Sequence, residues 1–176
     1  MQSAAAAVLA TGGAALARAQ YARTVRPALG SFGRVRPDLA PNDQLAWVCH
    51  LFNGGQEVVV IEDIRYHVAY TSAGHAGGAT DTVGWAERRT ALESIEGAGL
   101  VSRADFYINF VSSGHPVPAQ HLVFLGWCTE KSMRVVESVL LKARVTDRVG
   151  DAHERVIDLL KGADRAPSLP DPPAPF

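Results

Sequence analysis

The chain lacks most of what announces a function. It has no HExxH, no CxxC, no G-x-S-x-G elbow and no glycine loop leading into Lys-Ser or Lys-Thr. The common zinc, thiol-redox, serine-hydrolase and phosphate-binding signatures are therefore absent. Its formal net charge is −1, which gives no overall pull toward nucleic acid or anionic lipid. Basic residues are scattered and do not interleave with aromatics, so no nucleic-acid partner is expected. Cysteine is scarce: Cys49 and Cys128 are the two in the chain, each inside an apolar strand-like run (LAWVCHLF and HLVFLGWC). They read as two small buried hydrophobes, and a bridge between sheets would need their strands to be neighbours. A full-length membrane span is missing too. Ala4 to Ala17 carries no charge, but at about 1.5 Å per residue it reaches roughly 21 Å, short of the ~20 residues a bilayer core demands.

What is present is ordinary globular material. Apolar residues make up 47% and charged residues 20% of 176, values that argue against wholesale disorder and for one domain with a full core.

The segment ESVLLKARVTDRVGDAHERVIDLL, Glu137 to Leu160, sets the class. Val139, Leu141, Ala143 and Val145 alternate with Leu140, Lys142, Arg144 and Thr146, the period of a strand with one face buried. Asp147-Arg148-Val149-Gly150 fits a type I turn with glycine where a positive φ is needed, and His153 to Leu160 returns as a second strand. Pro27 and Pro37 bracket an edge-strand candidate, LGSFGRVR. Gln44 to Phe52 is almost continuously apolar, which suits burial on both faces. Asn53-Gly54-Gly55 is a strong hairpin signal, and Glu57 to Tyr70 is expected to return beside the preceding strand. Val58, Val60, Ile64, Tyr66, Val68 and Tyr70 would share its inner face, with a bulge near Glu62-Asp63 to move Glu62 off that face.

Ser72 to Ala79 reads as a flexible loop, Thr80 to Trp85 as a weak strand and Arg88 to Glu96 as a short helix. Asp105 to Val111 and Gln120 to Cys128 read as strands. The expected fold is mainly β, an antiparallel β-sandwich of immunoglobulin-like size with an N-terminal helix and a short inter-strand helix; a closed barrel is the alternative. Trp47, Trp85 and Trp127 would supply core aromatic area. The expected division is 1–26 as apolar helix and basic segment, 27–162 as the β-domain, and 163–176 as a proline-rich, unpacked tail.

Three readings compete for Ala4–Ala17, which is followed by Arg18, Arg23 and Arg26. As a membrane helix it would place the β-domain on the cytoplasmic side. As a secretory signal it lacks a basic n-region. As a soluble helix packed on the domain it lacks a polar face.

Residues capable of chemistry are dispersed along the chain. Asp147, Asp151, His153 and Glu154 gather ligand-type groups at the hairpin tip, but neighbours on a strand point to opposite faces, and a solvated turn accounts for them. Ser112-Ser113-Gly114-His115 puts serine near histidine without a third orienting group, and reads as a turn stiffened by Pro116 and Pro118. His75 reads as an exposed loop residue. Asn53-Gly54-Gly55 does not open a helix and is no phosphate loop. No catalytic, cofactor or metal residue is therefore expected.

Arg26-Pro27, LFNGGQEVVVIEDI and TDRVGDAHERV together resemble a loose class of uncharacterised bacterial proteins, with actinobacterial-like composition. These carry an N-terminal membrane helix, an Arg-Pro junction and a single β-sandwich. The resemblance implies fold and placement and no activity. The expected function is a non-enzymatic, membrane-associated module that binds or scaffolds an unknown protein partner. The alternatives are a small hydrolase or metal enzyme using His75, His115 and His153, and a secreted binding domain, which would carry a Cys49–Cys128 bridge.

Overall fold

Alternating apolar residues on long strands leave each sheet one face to bury, and here two sheets bury those faces against each other. The computed structural model describes residues 13–21 and 26–172. Residues 13–21 form a helix, α1, exposed along its whole described length; the rest of the run Ala4–Ala17 lies outside the described residues, as does Arg23. No helix among the described residues is long and apolar enough to cross a membrane.

The strands are β1 (Leu29–Arg36), β2 (Ala46–Asn53), β3 (Val59–Tyr70), β4 (Phe106–Ile108), β5 (Pro116–Val117), β6 (His121–Thr129), β7 (Val136–Thr146) and β8 (Ala152–Asp158). Short helices α2 (Ser72–Ala76), α3 (Arg88–Gly97) and α4 (Glu130–Val135) join them. Every strand pairing is antiparallel. The first sheet has the order β1-β2-β6-β4 and the second β5-β3-β7-β8. One core lies between them: Val35, Trp47, Leu51, Phe106 and Leu125 from the first sheet meet Ile61, Tyr66, Val68, Leu141 and Val145 from the second. Ala91 and Ile95 of α3 and Met133 of α4 pack against it.

The β7–β8 hairpin forms as its alternation requires. Val139, Leu141, Ala143 and Val145 are buried while Arg144 is exposed. Gly150 takes φ 88° and its N–H donates to the Asp147 carbonyl at 3.1 Å. The bulge also falls where Glu62 demands it, as a register shift between Ile61 and Asp63 against β7. That shift reverses the phase upstream, so Val59 and Ile61 face the core while Val58 and Val60 lie outside, 42% and 40% exposed. Glycine is obligatory at Gly126, where φ is 151° and a side chain would collide with the Tyr107 carbonyl of β4.

Three further expectations are corrected. Asn53-Gly54-Gly55 does not close a hairpin, because β2 and β3 belong to different sheets; the turn is a corner where the chain crosses the core. Asn53 is fully buried. Its Oδ1 accepts from Gly55 N–H at 3.0 Å, and its Nδ2 donates to the carbonyls of Glu57 (2.9 Å) and Val117 (3.1 Å). Cys49 and Cys128 stand on neighbouring strands of one sheet as free thiols, the first buried and the second half-buried, in keeping with their reading as small core residues. Trp85 is 39% exposed and outside the core, unlike Trp47 and Trp127.

Finally, the described part of the tail, 163–172, is irregular but held. Arg165 donates to the carbonyls of Met133 (2.7 Å) and Val136 (3.0 Å). Asp171 exchanges two bonds with Val35: Val35 N–H donates to its Oδ2 at 2.7 Å, and Asp171 N–H donates to the Val35 carbonyl at 3.1 Å.

Two stability outcomes follow from this packing. Asn53→Ala should cost about 3 kcal/mol or more, since it orphans one buried N–H and two buried carbonyls. The isosteric Asn53→Asp should cost at least as much, because it turns a donor into an acceptor facing two carbonyls. Leu141→Asp should cost about 4 kcal/mol or more by burying an unpaired charge, against about 1 kcal/mol for Lys142→Asp one residue on. Urea unfolding of the four variants measures all of these.

Candidate functional site

The two sheets present different outer faces. On the second sheet that face is a charge ladder with Val60, Trp85 and Val156 exposed among the pairs. Arg144 pairs with Glu62 at 2.8 Å, Arg65 with Asp63 at 2.9 Å and with Glu87 at 3.1 Å, and Lys142 with Glu154 at 3.8 Å. Lys142 also stands 5.0 Å over the Trp85 ring.

The first sheet presents rings. Phe32 of β1 lies 6.4 Å from His50 of β2, His50 lies 5.8 Å from Phe124 of β6, Phe124 stacks on Tyr107 of β4 at 6.1 Å, and Tyr107 lies 6.5 Å from Trp127. The row crosses all four strands. It arises because β2 and β6 are apolar on both sides: Trp47, Cys49 and Leu51 point inward, while Ala46, Val48 and Trp127 form a second cluster outside, covered by Ala40. Asn109 fixes one end of the row. Its Nδ2 donates to the Phe124 carbonyl at 2.9 Å, and its Oδ1 accepts from the Tyr107 hydroxyl at 3.2 Å. Tyr107, Phe124 and Trp127 also line an open cleft with Leu39, Pro41 and Arg103.

Beside the rings the charge is positive. Arg34 and Arg36 alternate with Phe32 along the outer side of β1. Arg36 is bonded to Asp38, and this hydrogen bond holds the Asp38 carboxyl below its usual range. Arg34 has no ion pair among the described residues, and its buried Nε has no acceptor. Burial, then the nearby Arg34 charge, lowers the His50 pKa from 6.5, and the buried His50 Nδ1 also lacks a partner.

The histidines expected from sequence do not converge. His75 donates from Nδ1 to the Ala79 carbonyl at 2.9 Å, with Nε2 at 3.5 Å from Asp81. His153 sits at the other end of the second sheet, separated by the length of β3, 12 residues or roughly 35–40 Å. Ser112, Ser113 and His115 are exposed, and Ser112 takes part through its carbonyl, which accepts from His115 N–H. At the hairpin tip Asp147 and His153 pair at 2.8 Å, but Glu154 turns to Lys142 on the outer face, and Asp151 contributes its backbone N–H to Asp147 Oδ1. No cluster of three or more His, Cys, Asp or Glu able to hold a metal occurs among the described residues. The cavity between the sheets, lined by Cys49, Cys128 and apolar side chains, measures about 20 Å³, enough for a single water at most. Burial pushes the Cys128 thiol up to about 11 and the Cys49 thiol well above its usual value, so neither is a poised nucleophile.

The Arg26-Pro27 junction, the Asn53-Gly54-Gly55 corner and the turn between β7 and β8 meet at one end of the fold. Gly54 N–H donates to the Ala28 carbonyl at 2.9 Å, Arg26 and Pro27 line a cleft with His153 and Arg155, and Arg148 pairs with Glu57 at 3.4 Å. Comparison of the chain with protein-family models, with curated proteins and with solved structures finds no match.

Sequence reasoning missed the row of rings. Its signal was the unbroken apolarity of AWVCHLF and HLVFLGW, which marks burial on two faces without saying that the outer one is aromatic and only partly covered.

The titrating groups make stability fall with acid in two steps. His50 resists protonation when folded, so the unfolded chain binds the extra proton and stability declines as pH drops through 6.5. Burial pushes the Asp147 carboxyl up, but the bonds from His153 and from the N–H groups of Asp151 and Val149 outweigh it, and its pKa lies below 3.8. Its contribution is present above that value and is lost as pH falls further. Urea midpoints measured from pH 8 to 3 should show both steps, the upper absent in His50→Gln and the lower reduced in Asp147→Asn.

Proposed function

We propose that the chain is a non-catalytic binding module, an immunoglobulin-like sandwich held at the cytoplasmic face of a membrane by its N-terminal apolar helix. It docks a protein partner through the outer face of the first sheet. The contrast between the two outer faces carries this reading. The second sheet's outer face sets isolated apolar residues, Val60 and Val156, among ion pairs, an arrangement that water tolerates. A row of five rings flanked by arginine is the composition of an interface centre, where aromatic residues and Arg dominate binding energy.

The sandwich assignment is supported by strand order: β2 to β3 and β6 to β7 both cross between sheets, the Greek-key wiring of immunoglobulin-like domains. The tether is supported by α1, exposed along its described length, and by the basic residues Arg18, Arg23 and Arg26 after the apolar run, which orient such a helix with the following domain in the cytoplasm.

Fractionation of the native host combined with site-specific photo-crosslinking tests both halves. The full chain should sediment with membranes, and a photoreactive residue replacing Phe124 should capture one defined protein species. The same residue at Val156, on the outer face of the second sheet, should capture none. Protein confined to the soluble fraction would remove the tether, and equal capture from both faces would remove the docking surface.

A further inference from the structure

The first sheet has one long edge, and the fold leaves most of it open. Val35 bonds outward to Asp171 through both its N–H and its carbonyl, so the odd-numbered residues of β1 direct their backbone groups away from β2. The even-numbered Ala28, just before the strand, accepts from Gly54 on the β2 side, which fixes the same phase. The register of β1 with β2 is unbroken from Leu29 to Arg36. Leu29, Ser31 and Gly33 therefore aim their N–H and C=O groups outward, and none of these groups has a hydrogen-bond partner among the described residues.

The other edges differ. β4 has three residues and β5 two. β8 is seven residues long but carries charges of both signs, Glu154 and Arg155, where β1 carries arginine alone. Beyond β5 the edge of β3 is covered by the 114–115 turn and by the 81–86 segment: Ile61 N–H donates to the His115 carbonyl, Tyr66 exchanges two bonds with Ala86, Val68 N–H donates to Thr82 Oγ1, and Tyr70 N–H donates to Asp81 Oδ1.

We propose that the open edge of β1 takes an extended acidic segment of a partner protein as a fifth strand of the first sheet. This deepens, and rests on, the reading of that sheet as the docking side. Two observations set the chemistry. The chain's own tail already occupies the far end of this edge, and the residue it places there is acidic, with the Asp171 carboxylate standing where a strand would offer a carbonyl. Arg34 and Arg36 lie on the outer side of the same strand, and Arg34 has no ion pair among the described residues. A residue of an added strand would stand opposite Arg34, and a carboxylate there complements it, whereas Arg36 lies beyond the tail's contact at Val35 and is already bonded to Asp38.

Charge also decides against one other occupant. The chain's own N-terminal segment brings Arg18, Arg23 and Arg26 to an already basic strip.

The test is titration of the full chain in detergent micelles with a short synthetic peptide alternating valine and glutamate. Its valine–glutamine and valine–lysine counterparts, an oligodeoxythymidine and phosphatidylglycerol vesicles are compared beside it. The acidic peptide should slow amide hydrogen exchange at Leu29, Ser31 and Gly33 and nowhere on the second sheet. Arg34→Gln should weaken it by about fivefold or more. Ser31→Pro, which removes an outward N–H and spares the β1–β2 ladder, should abolish it; if that variant unfolds, the Arg34→Gln result stands alone. Asp171→Ala should tighten binding by freeing the Val35 N–H.

Equal binding of the glutamine peptide, or protection elsewhere on the chain, would overturn the proposal. So would Arg34-dependent binding of the oligonucleotide or vesicles in place of the peptide. A negative peptide result alongside capture at Phe124 would discard the edge and keep the face; loss of both would discard the docking side altogether.

Discussion

The fold depends on one buried amide. Where β2 ends, the chain must leave the first sheet and begin the second, and a crossing inside the core strands polar backbone that no ladder can satisfy. Asn53 resolves this by touching four segments at once. Its side chain receives the Gly55 N–H and donates to Glu57 ahead of β3 and Val117 of β5, and its carbonyl accepts from Gln120 ahead of β6. Gln120 in turn donates to the carbonyls of Gly54 and Gly55. The corner fixes where both sheets begin, so the registers of β1 and β6 against β2 are counted from it. At the far end Leu159 closes the opposite side, its carbonyl accepting from Trp47 Nε1 and Cys49 Sγ at 2.9 Å each.

A second habit of the chain concerns its edges. Sheet edges attract further strands, and proteins blunt them with charge, brevity or covering chain. Here covering chain is used sparingly and side-chain oxygens finish the work. Thr82, Asp81 and Asp171 each present an oxygen to an edge N–H that a neighbouring strand would otherwise bond. Such a stand-in fills one position without extending a ladder.

The class of the fold was legible because periodicity reports burial directly. The alternation from Val139 to Val145, the two-faced apolarity of β2 and the misfit of Glu62 each translate into a physical constraint that the three-dimensional arrangement obeys. What stayed illegible was partnership. Asn-Gly favours a tight turn but does not specify which sheet the following strand joins, since that is settled by Val117 and Gln120, about 65 residues away in sequence. Trp85 looked like core because tryptophan is costly to expose, yet it serves as a platform for Lys142. The tail looked free because five of its residues are proline, while Arg165 and Asp171 hold it through carbonyls and an edge amide that no local pattern reveals. The row of rings suffered the same way: each ring belongs to a different strand pair, and only the strand order β1-β2-β6-β4 lines them up.

β1 receives the incoming chain at Leu29 and the returning tail at Val35, so its two ends hold both outer connections of the domain. Tension between a fixed N-terminal side and anything gripping the tail would therefore run along this strand. Asp171 and then Arg165 would let go first, each a small local release. Load carried onward by β1 would act parallel to its long axis, where all its bonds to β2 resist together, and not across them, where they would break singly in succession. With the tail released, the pull from that side falls on the end of β8 at Asp158, and β1 is loaded from Leu29 alone.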